Sequence, residues 1–382
     1  MKKIVILALH LGYGGVERSI VTLANMLAEK KEYEVEIASI YQLYDKPVFP
    51  LNERVKVTFL LPKNLTPNRE EWKDSLKKKK FFTFLKESAK SVHVLYARKK
   101  EMVRYIKNTK ADVMISSRDF LNEWLGLYGS PSTIKIGWEH NHHHNNMKYA
   151  TDVVRSAKDL NYFVLVSKDL YRFYKRKMAP YRCKCVYIPN TLDNIPKRKS
   201  SLTAKRIISV GRLSPEKGFL DLLKIYQMIE KQYPDWTLEI IGDGTEKKTL
   251  QAFIKKTHLE DKVTLAGFQD SDYIAKETQK SSLYIMTSYT ESFGIVLLEA
   301  MSHGLPCLAF DSAEGAREII TSGRDGYLIR HRNFDAMVKK AEDLIQDEKR
   351  RKELGQKGRE KMKEFSKEKV ILKWIALIEK EG

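Results

Sequence analysis

Short apolar runs rich in β-branched residues recur along the chain, and each is followed by a longer stretch with the spacing of an amphipathic helix. Alternation of this kind is typical of a parallel sheet that helices cover on both faces. The pattern predicts an α/β protein with two doubly wound, Rossmann-like domains. The predicted strands of the first domain are 4–9, 35–40, 55–61, 113–116, 133–138 and 162–166, and those of the second are 206–210, 238–241, 262–266, 283–286, 306–310 and 327–329.

A polar, basic segment with two prolines separates the two series of strands. Such a composition is typical of an exposed linker. We therefore predict a first domain over residues 1–189, a linker over 190–205 and a second domain over 206–364. In 365–382, apolar residues with helical spacing predict a final helix, which either closes the second domain or packs back on the first.

Composition restricts the partners. The 69 Lys and Arg residues exceed the 49 Asp and Glu residues by 20, which favours nucleic acid, an anionic membrane surface or a phosphorylated substrate. No run approaches the ~20 apolar residues of a membrane span. The three cysteines are odd in number and lack the spacing of a zinc site, so we expect reduced thiols and a cytoplasmic location.

A glycine-rich turn, GYGGVER, follows the first predicted strand and leads into an amphipathic helix. Glycines in such a turn let backbone N–H groups approach a phosphate at the helix N-terminus. Gly14 and Gly15 are therefore candidate donor-binding residues. A tight turn without a ligand is the alternative, because the spacing is not Gly-x-Gly-x-x-Gly.

The corresponding loop of the second half carries two cations. Arg212 and Lys217 lie five residues apart after the strand 206–210, where they could clamp a diphosphate. Taken alone, two such residues are more often solvated surface charges.

A pair of glutamates follows the strand 283–286 in the segment ESFGIVLLE. Glu291 lies at the predicted start of a helix near Phe293, Gly294 allows close backbone approach, and Glu299 lies about two turns along on nearly the same face. One carboxylate could meet sugar hydroxyls while the other reaches a ribose. A helix cap plus a surface charge is the alternative.

Together these segments resemble the retaining GT-B glycosyltransferases grouped as family four. The resemblance covers nearly the whole chain, and the motifs occur in the family's order: GGVER at 14–18, Gly211-Arg212 with Lys217-Gly218, Gly242-Asp243-Gly244, the segment 291–299 and Gly323-x-x-Gly326. It implies two Rossmann-like domains facing a central cleft. It also implies retaining transfer of a hexose-type sugar from a nucleotide-diphosphate donor, such as a UDP-sugar, to a glycan or lipid-linked acceptor.

The resemblance also implies roles for the residues. Gly15 and its helix would approach the donor diphosphate, Arg212 and Lys217 would neutralise it, Glu299 would hold the ribose, and Glu291 would contact the transferred sugar. The backbone of Phe293, Gly294 and Ile295 would add contacts. Phe268 is a candidate wall for the base, although a lone aromatic is more often core. No metal or cofactor is then required.

Four of the nine histidines lie in the segment EHNHHH that follows the strand 133–138. Similar proteins place one histidine near this point against the donor sugar, and His140 matches best, so we predict a catalytic role for it. A metal site is the alternative, but successive residues of one loop rarely converge on one ion. The roles of the remaining three histidines stay open.

An Asp-Ser-Asp sequence at 270–272 has the form of a metal-binding Asp-x-Asp. It precedes a helical stretch, and aspartate is favoured as a helix N-cap. We therefore predict a cap at this point and a metal-independent enzyme.

The basic stretch KKKKFFTFLK at 77–86 mixes lysines with aromatic residues. Such a segment can lie on an anionic bilayer with its rings in the interface, so we predict peripheral contact with the inner face of the membrane. The alternative is an amphipathic helix whose aromatics face the core.

Two other functions fit parts of the sequence. A sugar-nucleotide epimerase can share the two-domain architecture, and the basic charge suggests a nucleic-acid-modifying or nucleic-acid-binding protein. Neither a recognition helix nor an interleaved aromatic platform appears in the sequence, so we expect no nucleic acid partner.

Overall fold

The apolar runs of the N-terminal half form one parallel sheet. Its strands are β1 (Lys2–Ala8), β2 (Tyr33–Ser39), β3 (Val55–Phe59), β4 (Val113–Ser116), β5 (Ile134–Glu139), β6 (Tyr162–Leu165) and β7 (Lys184–Tyr187). They are ordered β3-β2-β1-β4-β5-β6-β7. Residues 4–8 of β1 are fully buried, as expected for a strand covered on both faces.

The runs of the C-terminal half form a second parallel sheet. Its strands are β8 (Arg206–Val210), β9 (Thr237–Ile241), β10 (Val263–Gly267), β11 (Leu283–Met286), β12 (Cys307–Phe310) and β13 (Gly326–Ile329). Their order, β10-β9-β8-β11-β12-β13, repeats that of the first six strands of the other sheet. In both sheets the order reverses beside the first strand, and ligands of such sheets bind at the carboxyl ends of the strands near that point.

Helices follow most strands. Those of the N-terminal half are α1 (Gly15–Ala28), α2 (Arg69–Lys77), α3 (Phe81–Asn108), α4 (Asp119–Tyr128), α5 (Met147–Ala157) and α6 (Lys168–Met178). Those of the C-terminal half are α7 (Phe219–Glu230), α8 (Lys247–Lys256), α9 (Ser271–Gln279), α10 (Ile295–Ser302), α11 (Glu314–Ile319), α12 (Phe334–Gln346), α13 (Glu348–Lys361) and α14 (Lys367–Ile378). The predicted α/β class with two doubly wound, Rossmann-like domains is confirmed.

The computed structural model describes residues 1–78, 80–144, 146–192 and 195–380. The chain divides into two units. The first comprises Met1–Val166, Tyr171–Ile188 and the residues from Ile371 onward, and the second comprises Ser167–Leu170 and Pro189–Val370. Within the described ranges, no helix combines the length and the apolar character needed to cross a bilayer.

The final helix starts two residues after the predicted start of its segment. Its Trp374 is buried, and the ring centroid lies 4.9 Å from that of Trp138 in the first unit. Leu377 is buried on the same helix, whereas Ile375 is only partly buried.

The predicted linker at 190–205 is not exposed throughout. Thr191, Leu192, Ser200 and Leu202 are buried, and the Ser200 backbone N–H donates to a carbonyl oxygen of the second unit at 2.8 Å. Exposure holds for only part of the segment, including residues 197–199, because polar composition does not show which backbone groups find partners. Asp193 and Asn194 lie outside the described residues.

Candidate functional site

The loop after β8 carries the two predicted cations. Arg212 is exposed, and Lys217 ends a short 3-10 helix, Pro215–Lys217. Gly218 follows with φ 64°, and a Cβ there would lie 2.4 Å from the carbonyl oxygen of Thr287. Only glycine tolerates both this backbone conformation and this approach. The loops after β8 and β11 are thereby held against each other.

Lys217 and Glu291 meet across these two loops. The Lys217 ammonium donates a hydrogen bond to Oε1 of Glu291, and the Ser288 hydroxyl donates to the same oxygen at 3.3 Å. Both side chains of the ion pair are partly buried. Because β8 and β11 are neighbouring strands, a cation and a carboxylate lie side by side at the carboxyl edge of the second sheet.

Glu291 is also fixed through its backbone. Its carbonyl oxygen accepts a hydrogen bond of 2.7 Å from the N–H of Gly315. A Cβ at Gly315 would lie 2.4 Å from backbone atoms of the buried Phe293, so only a glycine permits this contact. The backbone of Glu291 is therefore packed in a fixed position.

The helix after this loop begins later than predicted. α10 starts at Ile295, with Gly294 as its N-cap residue, instead of near Phe293. Glu299 is therefore the fifth residue of α10 and lies in its second turn. The prediction had placed it about two turns from the helix start, on nearly the same face as Glu291. The correction follows from Gly294, whose φ of 89° is outside the helical region.

The predicted wall residue and the predicted cap lie in the same unit. Phe268 is 51% exposed and so is not a core residue. Asp270 is the N-cap of α9, and its carboxylate accepts a hydrogen bond of 2.8 Å from the N–H of Tyr273. The cap prediction for Asp270 is confirmed, and Asp272 lies in the first turn of the same helix.

His140 follows β5 in the first unit and is buried, with its ring centroid 4.3 Å from that of Trp138. Burial, aided by the Arg118 guanidinium, lowers the pKa of the His140 imidazole to about 3. A neutral imidazole can accept or donate a hydrogen bond to a hydroxyl without introducing a charge.

The residue before His140 was not singled out in the sequence. Glu139 is buried at the end of β5, and its Oε1 accepts hydrogen bonds from the Asn141 N–H at 2.7 Å and from the Tyr149 hydroxyl at 3.4 Å. Burial raises the pKa of the Glu139 carboxyl to about 7. Both His140 and its preceding carboxyl are thus held in environments that disfavour charge.

The neighbouring histidines pack on rings. The ring of His143 stacks on Phe173 with the centroids 3.8 Å apart, and His142 lies 4.2 Å from His143. Over the part of the chain that the structure describes, no group of three or more His, Cys, Asp or Glu side chains could hold a metal ion.

The glycine-rich turn after β1 leads into α1, with Gly14 as the N-cap residue and Gly15 as the first helical residue. Glu17 lies in the first turn of the helix, is buried, and accepts a hydrogen bond of 2.8 Å from Arg118. Phosphate binding at Gly14 and Gly15 stays a prediction.

The sequence family described as Glycosyl transferases group 1 matches residues 191–361. A glycosyltransferase of uncharacterised specificity from Haemophilus influenzae is 29% identical over 99% of this chain and 100% of its own length. Residues 191–361 therefore form a glycosyltransferase domain of the group 1 type. This identification agrees with the resemblance found in the motifs.

A second relative has a named reaction, and a solved structure shares the fold. The GalNAc-alpha-(1->4)-GalNAc-alpha-(1->3)-diNAcBac-PP-undecaprenol alpha-1,4-N-acetyl-D-galactosaminyltransferase of Campylobacter jejuni is 26% identical to this glycosyltransferase over 99% of this chain and 98% of its own. TarM of S. aureus, crystallised with UDP, covers 100% of both chains with a TM-score of 0.80 and 17% identity. The glycosyltransferase therefore has the GT-B fold.

In this glycosyltransferase the structure brings together some predicted site residues. Lys217, Glu291 and Gly294 lie on adjoining loops of the second unit, together with the exposed Arg212. Sequence reasoning missed Ser288, which donates to Glu291, because a serine in a loop carries no distinctive pattern. His140, Gly14 and Gly15 belong to the first unit.

Proposed function

We propose that this glycosyltransferase moves a hexose-type sugar from a UDP-sugar to a glycan or lipid-linked acceptor, with retention of the anomeric configuration and without a metal ion. The observation that carries the proposal is the contact between Lys217 and Glu291 at the strand edge that precedes α10. The UDP bound to TarM and the undecaprenol-linked glycan in the name of the C. jejuni relative support the choice of donor and acceptor.

The cations supply the stabilisation that the departing diphosphate needs. Negative charge develops on the leaving group during transfer, and preorganised positive charge that meets it lowers the barrier. Lys217 is held in place by Glu291, while Arg212 is exposed on the same loop. The N–H groups at the start of α10 add a partial positive charge. With these donors, the transfer needs no divalent cation.

The carboxylates and the imidazole orient the sugar in this proposal. Glu291 contacts the transferred sugar, Glu299 holds the ribose, and the neutral His140 forms a hydrogen bond to a sugar hydroxyl. The contacts of Glu291 with Lys217 and Ser288 support a fixed carboxylate orientation. The backbone of Phe293, Gly294 and Ile295 and the exposed ring of Phe268 complete the donor site.

We also propose that α3 brings the enzyme to an anionic membrane from the cytoplasmic side. Five exposed residues repeat at alternating spacings of three and four along the helix, Phe82, Leu85, Ala89, Val92 and Tyr96. The ring of Phe82 is almost fully accessible, since this residue is 86% exposed. Residues with this spacing share one helix face.

Lysines surround this apolar stripe. Lys78, Lys80, Lys86, Lys90 and Lys99 are exposed before or within α3, whereas Lys79 of the predicted basic cluster lies outside the described residues. An apolar face flanked by lysines fits the interface of an anionic bilayer. Phe84 of this stretch is partly buried, and its ring centroid lies 5.5 Å from that of the partly buried Trp72 in α2.

A donor screen tests the enzymatic proposal. Purified protein is incubated with each UDP-hexose and UDP-N-acetylhexosamine, with and without an undecaprenyl-diphosphate glycan, and released UDP is measured. Mass spectrometry identifies the product, and the anomeric proton coupling reports the stereochemistry. Glycosylated product with retained configuration is expected. Conversion of the donor sugar without transfer would instead indicate an epimerase.

A chelator tests the metal-free mechanism separately. Turnover in EDTA should equal that in buffer. Loss of turnover that magnesium or manganese restores would overturn this part of the proposal while leaving the transfer reaction intact.

A further inference from the structure

Arg332 lies behind the loop that carries Glu291. It follows β13 in a short 3-10 segment, Arg330–Arg332, and its φ of 48° is in the left-handed region, as is the φ of 54° at His331. Residues other than glycine adopt this conformation at an energetic cost, and the conformation persists only where surrounding contacts compensate for that cost. Those contacts come from the side chain of Arg332.

The guanidinium of Arg332 joins three segments that are distant in sequence. One nitrogen donates to the carbonyl oxygen of Ser288 at 3.0 Å, and the other donates to the carbonyl oxygen of Thr287 at 3.0 Å and to the carboxylate of Asp221 at 2.7 Å. The first also reaches the hydroxyl of Ser312 at 3.2 Å. A planar fork of donors can satisfy several fixed acceptors at once, which a lysine cannot do.

Aromatic rings complete the arrangement. The guanidinium carbon lies 3.7 Å from the ring centroid of Tyr289 and 4.4 Å from that of Phe310. The Tyr289 hydroxyl donates to Asp221 at 2.7 Å. Arg332, Asp221 and Tyr289, which we call the Arg332 cluster, therefore form a closed set of contacts.

The Arg332 cluster lies where the two loops of the donor site join. Thr287 donates through its hydroxyl to the carbonyl oxygen of Gly218 at 2.9 Å, and the Tyr289 N–H donates to the carbonyl oxygen of Glu216 at 2.8 Å. Residues 216–218 include Lys217, and Tyr289 is two residues before Glu291. Residues 287–294 belong to no helix or strand, so their position depends on such contacts.

We infer that Arg332 is a positioning residue, which sets the orientation of Glu291 through the loop 287–291 without touching the sugar. The inference rests on the proposed function of Glu291 as the group that contacts the transferred sugar. Loss of the guanidinium should leave the donor bound but the carboxylate misplaced. A misplaced carboxylate lowers kcat more than it changes donor affinity.

The test compares Arg332→Gln and Arg332→Lys with Arg330→Gln, a neighbouring arginine whose side chain is exposed. The reaction is hydrolysis or transfer of the UDP-sugar that the donor screen identifies, and UDP affinity is measured by calorimetry. We expect both Arg332 variants to lower kcat ~10-fold or more, with the UDP Kd within ~3-fold of wild type. Arg330→Gln should match wild type.

A double-mutant cycle separates positioning from a general loss of structure. If Arg332 acts through Glu291, Arg332→Gln should cost ~10-fold in the wild-type background but less than ~2-fold in Glu291→Gln, because contacts in one network are not additive. An equal cost in both backgrounds, or unchanged kcat in both Arg332 variants, overturns the inference.

Hydrogen exchange gives a readout that does not depend on activity. Amides of 287–294 should exchange faster in Arg332→Gln than in Arg330→Gln, while those of β8 should not differ. Unchanged exchange in 287–294 counts against the inference. A wild-type protein inactive on every nucleotide sugar removes the proposed function instead, and the exchange experiment still decides whether Arg332 orders the loop.

Discussion

The loop between the first strand and the helix that follows it occupies the same topological position in each sheet, but only the loop of the second unit, 211–218, carries arginine or lysine. In the first unit, the turn after β1 places Glu17 in the first turn of α1, where Arg118 donates to it. In the second unit, the turn after β8 places Arg212 and Lys217 at the sheet edge. The N-terminus of a helix favours negative charge. The first turn of each following helix holds an acidic residue of the chain, Glu17 in α1 and Asp221 in α7, so the two cations are what distinguishes the loop of the second unit.

The surfaces of the two units differ as well. Among the described residues, the large apolar side chains that are exposed in the second unit are Phe268 and Tyr289, whereas the first unit exposes many, including the stripe of α3. The same topology therefore carries two different surfaces. In the second unit Arg212 and Lys217 lie at the sheet edge, which supports the proposed diphosphate contact, whereas the exposed apolar and basic surface of α3 in the first unit supports the proposed membrane contact.

The strongest test of this contrast removes a cation from the second unit. Lys217→Ala or Arg212→Ala should lower turnover at least ~100-fold, because loss of an electrostatic contact with the developing charge costs ~3 kcal/mol. Lys248→Ala removes an exposed lysine of α8 and is the matched control. Turnover at saturating donor within a few-fold of wild type for both variants would remove these residues from the mechanism.

The next test distinguishes the proposed roles of Glu291 and Glu299 in the second unit. Glu291→Ala should lower kcat ~30-fold, since its partner changes charge and geometry during transfer. Glu299→Ala should mainly raise the donor KM, because a ribose contact is equal in the ground and transition states. Steady-state kinetics and calorimetric donor binding distinguish these effects. The assignment is reversed if Glu299→Ala alters only kcat while Glu291→Ala abolishes donor binding.

Much of the fold of both units could be predicted from the sequence, since apolar runs indicate buried strands directly. The strands 206–210, 283–286 and 113–116 were predicted with their observed limits. The edge strand β7 was missed because its sequence, KCVY, begins with a lysine and lacks a continuous apolar run. Polar composition likewise misled at 190–205, where Ser200 and Leu202 are buried.

Contacts between distant segments could not be predicted. Lys217 and Glu291 are 74 residues apart, and each was proposed for the donor site on motif order without any indication that they touch. Arg332 has no local motif at all, since its role depends on carbonyl oxygens that only the fold presents. The pairing of Glu17 with Arg118 depends in the same way on the adjacency of β1 and β4.

A third test concerns the buried groups of the first unit and uses pH. Unfolded Glu139 ionises near its ordinary pKa of 4.5, whereas in the folded protein its pKa is about 7. The folded state therefore holds more protons between these values, and this carboxyl makes the free energy of unfolding fall as pH rises through the window. Glu139→Gln should remove that fall.

His140 has the opposite effect over much of the same range. Its pKa falls from 6.5 to about 3 on folding, so the unfolded state holds more protons, and stability declines as pH drops below 6.5. The two slopes offset each other in the wild type. From pH 5 to 8, the unfolding free energy of Glu139→Gln relative to wild type should rise by roughly 2 to 3 kcal/mol, because the pKa of this carboxyl moves from 4.5 to about 7 on folding.

Urea denaturation at each pH measures this difference. Glu123→Gln removes an exposed carboxylate of α4 and is the control, and its difference from wild type should not change with pH. A pH-independent difference for Glu139→Gln would show that Glu139 is not held neutral in the folded protein.

The smallest predicted effects test the apolar and basic surface of the first unit, one side chain at a time. Lys86→Gln should weaken binding to vesicles of phosphatidylglycerol and phosphatidylcholine about fivefold, because each lysine near an anionic surface contributes ~1 kcal/mol. Phe82→Ser should weaken it by at least as much, since burial of the ring in the interface is lost. Lys248→Gln changes the net charge equally but lies in the second unit, so its binding should equal that of wild type. Binding of the wild type should also fall as salt rises, because charges are screened over ~10 Å at 0.1 M.

If Lys86→Gln and Lys248→Gln weaken binding alike, the attraction comes from the overall charge of the protein and the two units do not differ in this property. If only Phe82→Ser has no effect, the lysines approach the surface while the stripe of α3 stays in water.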